Sequence, residues 1–304
     1  MVTTGSVPRA DDLYSNRALT EGYPDLGRLA HEYFVGTQSA RADDEPRVDR
    51  ILRLMARLIT FEPGQRTCVI GCGPVPQIMR VLMSRGFDVS GVEPVVSFVE
   101  EANAYLGASK VLVGAAESIP LPDASQHVVF FENVLEHVES PVRSLEEIYR
   151  VLMPGGVVLL TTTNRHRVSL TGENGEYNVP FFNWLPRLVK ESYVFSHLHY
   201  RPSLANFTER PAVHWFSYGD LCALGRQAGF AQFYSLLDLR RRSDVPGTAN
   251  PIKKLLLGSR LLDTVKQSPW LRALALTQMG GDIIMVKRGT LERVAPVHRE
   301  PGAV

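Results

Sequence analysis

"GAAESIPLPDASQHVVFFENVLEHVESPVRSLEEIYRVLMPGGVVLLTTTN", residues 114–164, reads as strand, helix and strand in succession. HVVFFE (127–132) and VVLLTTT (157–163) are short runs rich in β-branched and aromatic residues. Between them, PVRSLEEIYRVLM (141–153) carries apolar residues at helical spacing. Ser140 can cap that helix, with Pro141 at its first position, where a missing N–H costs nothing. Pro154-Gly155-Gly156 is expected to end it. Short strands alternating with helices predict an α/β fold on a parallel sheet.

The alternation extends upstream. CVIG (68–71), FDVSGVE (87–93) and KVLVG (110–114) read as strands, with helices over PQIMRVLMSRG (76–86) and VVSFVEEANAYLG (95–107). Before them, RVDRILRLMARLI (47–59) places Val48, Ile51, Leu52, Met55, Leu58 and Ile59 on one helical face. After Asn164 the pattern breaks up to Trp215, in an insert rich in aromatic residues such as Phe182, Trp184 and Tyr193. It resumes with SYGDLCALGRQAGF (217–230), where Ser217 and Asp220 form a capping box. A strand AQFYSLLDL (231–239), a basic helical stretch from Ile252 and a final strand in GGDIIMVKRG (280–289) follow.

The expected organisation has an N-terminal cap and first helix at 1–62 and one domain at 63–290. That domain carries a substrate-covering insert at 165–215 and a helical insert at 243–279; residues 291–304 form a flexible tail.

Composition narrows the function classes. A formal charge of +1 argues against a chain built mainly to coat nucleic acid. No run approaches the ~18 apolar residues of a membrane-spanning helix, and MVTTGSVPRADDLYSNR at the start has no apolar core of a signal peptide. Cys68, Cys72 and Cys222 lack metal-ligand spacing, and their odd number suits a reducing, cytoplasmic setting. No metal site is expected. The basic stretch near 252–262, with Lys253, Lys254 and Arg260 among leucines, suits contact with a membrane surface, a docked helix or a homodimer face.

The loop after the first strand is the first candidate site. Gly71-Cys72-Gly73 follows an apolar strand and precedes a helix, so backbone N–H groups would face a nucleotide-like ligand. Glu93 ends the next strand, where an acidic side chain can meet ribose hydroxyls, or can stand as a solvated strand-end charge. Cys72 reads as a small packing residue within the loop.

With those residues, three segments resemble the class I S-adenosylmethionine (SAM)-dependent methyltransferases, in particular the methyltransferase type 11 group: Gly114 to Asp123, Val134-Leu135-Glu136-His137, and Leu152 to Gly156. The resemblance spans roughly 45–164 and resumes more weakly at 214–288. It implies a Rossmann-like sheet of order 3-2-1-4-5-7-6 with SAM at the C-terminal ends of its strands. Gly71 and Gly73 would admit the methionine and sugar parts, Glu93 followed by Pro94 would meet the ribose, and backbone at Ala115, Ala116 and Glu117 would edge the adenine. Glu132 and Asn133 would face the methionine tail. Val69, Val75 and Ala115 depart from the family's usual acidic residue, third glycine and aspartate, while Pro74 and Pro76 would stiffen the loop and Glu132 could replace a lost charge.

Methyl transfer to an alcohol needs a base near the hydroxyl. His137 and His166 are the candidates, with His197, His199 and His214 in the insert behind them. The aromatic insert suits a small-molecule or glycan acceptor, and its aromatics can equally form the core of a lid. Three functions stay open at this point: O-methylation of a sugar or other natural product, C- or N-methylation of an aromatic or lipid-soluble metabolite, and a silent SAM-fold partner protein.

Overall fold

The computed structural model describes residues 45–167, 179–196, 212, 214–244, 261–278 and 281–289. Seven strands form one sheet of order β3-β2-β1-β4-β5-β7-β6. In chain order, the first half is α1 (Glu45–Met55), β1 (Arg66–Ile70), α2 (Gln77–Ser84), β2 (Asp88–Glu93), α3 (Val96–Leu106) and β3 (Val111–Val113). Next come β4 (Gln126–Glu132), α4 (Pro141–Val151), β5 (Leu152–Thr161) and α5 (Arg187–Ser196). The chain continues through α6 (Tyr218–Gln227), β6 (Gln232–Ser235), α7 (Leu236–Leu239), α8 (Leu261–Gln267), α9 (Pro269–Gln278) and β7 (Ile283–Val286). Strands β1 to β5 pair in parallel, and β7 runs antiparallel between β5 and β6.

Both faces of the sheet are covered, which is why β4 and β5 are apolar without alternation. Val129, Phe131, Val158, Leu160 and Met285 pack under α4 and α6. Val128, Phe130, Val157, Leu159 and Ile284 pack under α1, α2 and α7. Strand period two assigns neighbouring residues to opposite cores.

Several boundaries differ from the sequence reading. Helix α1 buries Leu54 rather than Leu52, and after Met55 the chain tightens into three-residue turns, Arg57 N–H to Leu54 O and Leu58 N–H to Met55 O. LMPGG does not end α4; it forms the first part of β5. Leu152 is already extended and pairs with Gln126, while Gly155 and Gly156 exchange backbone bonds with Lys287. LLDL (236–239) is helix, not strand. Ser235 and Asp238 form a second capping box that starts α7, so β6 stops at Ser235. The expected boxes at Ser217/Asp220 and the cap at Ser140 are both present.

The basic stretch at 252–260, His197 and His199, the first forty-four residues and the tail lie outside the described residues. Leu262, at the start of α8, is buried and so docked into the protein. Among the described residues no helix is long and apolar enough to cross a membrane, and no metal-binding cluster of His, Cys, Asp or Glu occurs.

Candidate active site

At the C-terminal edge of β1 the backbone turns through Gly71 (φ +67) and Gly73 (φ +65). A Cβ on Gly71 would lie 2.3 Å from Val134 Cγ2, so the strand-4 turn sits where a side chain would otherwise be. Gly71 N–H donates to Val92 O, which ties the loop to β2. Glu93 is buried, 6% exposed, and its Oε2 accepts from Gly73 N–H at 3.0 Å. Its Oε1 accepts from Val95 N–H at 3.3 Å, past the exposed Pro94. The solvated strand-end reading of Glu93 is thereby excluded. Cys72 is also buried, and burial, then the Glu93 charge, holds its thiol well above the usual range. It is a packing residue, protonated and unsuited to attack.

Across the loop stands the end of β4. A small cavity of roughly 90 Å³ is lined by Gly71, Cys72, Val75, Glu132 and Asn133, and by Arg47 from α1. Arg47 Nη1 donates to Glu132 Oε2 at 2.7 Å. The other oxygen, Oε1, is buried with no hydrogen-bond partner. Asn133 takes a left-handed φ of 54° and returns its N–H to Thr161 O. Asn tolerates that conformation better than most residues, and such outliers gather at functional sites. Glu132 pairs with Thr161 across the sheet, and Asp282 directly precedes Ile283, the partner of Leu160. Burial first, then the Glu132 charge, raises the Asp282 carboxyl above its usual range.

Sequence reasoning missed Arg47 and Asp282. Arg47 looks like any polar residue on an amphipathic helix, and only the packing of α1 on the sheet carries it to β4. Asp282 precedes an apolar strand without any motif around it.

The other candidates divide. Ala116 is buried, and Gly114 N–H bonds Glu93 O, so the backbone of 114–117 follows the Glu93 end of β2. The Glu117 carboxylate turns to the N–H groups of Glu139 and Ser140, at the start of α4. In the strand-4 turn, Glu136 is fully buried and accepts from Thr162 Oγ1 at 2.8 Å. His137 is half-buried and its N–H bonds Val134 O.

A second, larger cavity of about 750 Å³ opens beyond β5. Arg165, His166, Trp184, Lys190, His214 and Trp215 line it, with the first turn of α6. Its outer wall rests on a satellite core of Phe182, Val194 and Ala212, against which Tyr193 and Trp215 pack. Phe182 is therefore core and Trp215 packs against it from the cavity wall, whereas Trp184 is 58% exposed. His166 is exposed on this cavity, while His137 lines neither cavity. His214 Nε2 lies 3.0 Å from Val138 O, which ties the insert to the strand-4 turn.

Residues 69–160 match the family described as "Methyltransferase domain". The chain is 32% identical over 100 residues to a malonyl-[acyl-carrier protein] O-methyltransferase of Serratia marcescens, covering 33% of this chain and 39% of that one. It is 36% identical over 114 residues to an uncharacterized methyltransferase of Mycobacterium tuberculosis (strain H37Rv), covering 37% and 46%. It thus spans less than half the length of these curated relatives. A crystal structure of the plantazolicin methyltransferase BamL, in complex with a triazolic desmethylPZN analog and SAH, superposes with a TM-score of 0.52 at 13% identity, over 91% of this chain and 97% of that one. That likeness concerns the fold.

Proposed function

We propose that residues 69–160, which match a methyltransferase domain, form a class I SAM-dependent methyltransferase domain, and that the chain binds SAM and methylates a hydroxylated small molecule. The observation that carries the reading is the pair of faces across the small cavity. On one side stands Gly71, in the loop that Gly73 ties to the buried Glu93; on the other, Glu132 keeps a buried oxygen without a hydrogen-bond partner. An unsatisfied buried carboxylate oxygen is costly, and a ligand ammonium would satisfy it. The Glu93 carboxylate is fixed by the Gly73 and Val95 N–H groups at the end of β2, where ribose hydroxyls would meet it. Arg47 stands beside Glu132, placed for the carboxylate of the same amino-acid group. Bound SAM would supply a methyl group on a sulfonium, open to displacement by an aligned nucleophile.

The acceptor would occupy the larger cavity. Its aromatic walls and polar groups suit a sugar or another hydroxylated natural product, and the O-methyltransferase among the relatives supports oxygen as the nucleophile. His166, exposed on that cavity, is the better placed of the two candidate bases; its role is to take the hydroxyl proton. The aromatic walls favour an aromatic C- or N-acceptor as the second reading. Three buried, free thiols support a reducing, cytoplasmic setting.

Calorimetric titration of SAM, followed by a screen of acceptors with methyl-labelled SAM, tests the proposal. Micromolar SAM binding, about −8 kcal/mol, is expected. Absent binding would leave a silent partner protein; binding without labelled product from any acceptor class would favour the same outcome.

A further inference from the structure

We propose that the large cavity beyond β5 takes an amphiphile, with a hydroxylated head inside and an alkyl tail that leaves over an apolar strip formed by Phe181, Trp184, Leu188 and Val189. Contiguous large apolar side chains on a surface mark a place where something apolar binds. These four fall within residues 181–189, and each is between 46% and 68% exposed. Helix α5 explains the grouping. Lys190 and Val194, one turn apart, form its buried side, so Leu188 and Val189 in its first turn are left to solvent. Just before it, Phe181 holds a left-handed φ of 57°, which a bulky residue adopts only under constraint. Its ring centroid lies 5.2 Å from that of Trp184. The constrained turn therefore sets two aromatic rings side by side at the surface, next to the outward face of α5.

Continuity with the cavity decides the occupant. Trp184, Leu185 and Pro186 line the cavity of about 750 Å³, and Leu188 and Val189 follow them outside it, so the strip begins at the cavity's rim. Within the cavity, Arg165, His166, Asn183 and Asp220 make a polar end. A molecule with a hydroxylated head and an alkyl chain matches that order of polarity. A second copy of this chain matches it less well, because four side chains fall far short of the roughly 20–30 residues a side of a stable interface. A membrane surface also matches less well: α5 sets Arg187 and Lys190 against Glu191, without the basic run of a helix that lies on lipid. That this amphiphile is the methyl acceptor rests on the reading above; the seat of its tail does not.

The test titrates n-alkyl β-D-glucosides, from methyl to octyl, and 4-alkylphenols of the same chain lengths into the full chain by calorimetry. All are kept below the concentrations at which they form micelles, and SAM is titrated in parallel. Affinity should rise about two- to four-fold per added methylene until the chain outgrows the strip. Leu188→Ser combined with Val189→Ser, at positions that do not line the cavity, should flatten that rise. Affinity for the methyl compounds, affinity for SAM and the melting temperature should stay near wild type. Affinity independent of chain length in both series, or no binding by either, would overturn the proposal. So would a folded double variant that keeps the wild-type rise. Self-association that the two substitutions abolish, with no rise along either series, would assign the strip to a second copy and overturn it as well. A rise with chain length in a chain that fails to bind SAM would uphold the seat of the tail and refute the methyl-transfer reading.

Discussion

Gly71 combines two constraints that a side chain cannot meet: a φ of +67° and Val134 Cγ2 at 2.3 Å from its missing Cβ. Gly71→Ala should therefore cost about 1–3 kcal/mol of stability, the range for a strained backbone position, and weaken SAM binding by moving the loop. Thermal melting and calorimetry on the same variant check both. Glu132 offers a contrasting case, because its effect is charge rather than shape. Glu132→Gln should weaken SAM binding by roughly 1.5–3 kcal/mol, whereas Val75→Gly, which only loosens the loop, should change it little. The reverse order of effects in binding isotherms would remove Glu132 from the site. Gly71, Gly73 and Glu93 were legible because strand-to-turn spacing is local. Arg47 was not, since its partner lies eighty-five residues away.

Among the elements, α7 shows how a short helix can be hidden in an apolar run. Ser235 Oγ accepts from Asp238 N–H, and Asp238 Oδ2 accepts from Ser235 N–H. The same carboxylate takes two bonds from Arg272 of α9, at 3.1 and 2.9 Å. Burial pushes the Asp238 carboxyl up, but the Arg272 and Ser235 bonds prevail and hold it below its usual value. Asp238→Ala removes a cap and a partly buried pair together, so a loss of about 2 kcal/mol is expected in urea titration; Asp238→Asn should recover part of it. A loss under about 0.5 kcal/mol would show that α7 and α9 are held by apolar packing alone. Ser235 and Asp238 stand at S-x-x-D spacing inside an apolar run that reads as a strand. LMPGG misled for the opposite reason: proline and glycines read as a stop, while pairing with Gln126 and Lys287 recruits them into β5.

For the whole molecule, the strength of the sheet's centre sets the pH response. His127 opens β4 and is 4% exposed; its Nδ1 accepts from Arg66 N–H of β1 at 3.2 Å, which requires a neutral ring. Burial, then the Arg66 charge, lowers its pKa below the usual 6.5. The unfolded chain therefore takes up this proton first. Its contribution is intact above about pH 6.5 and is lost as pH falls through the lower folded value. Denaturant titrations at pH 7.5 and 5.5 should show lower stability at the acid point, and His127→Leu should reduce that difference; an unchanged difference would refute the role given to His127. The core should also shield all three thiols: burial drives Cys68 to about 12 and raises Cys72 and Cys222. Thiol reagents should label none of them before unfolding.

The sequence by itself determined the alternation of strands and helices from β1 to β5, the parallel pairing of those strands, and the glycine turn after β1. Each of these rests on local spacing or on continuous apolar runs, which any chain segment displays without its neighbours. Only the tertiary structure decided that Arg47 faces Glu132, that Glu117 accepts from the Glu139 and Ser140 N–H groups ahead of α4, and that Lys190 lines a cavity against Trp215. Those outcomes depend on how helices settle over the sheet, where a shift of one turn would give each charge a different partner, and no periodicity in the chain encodes that choice.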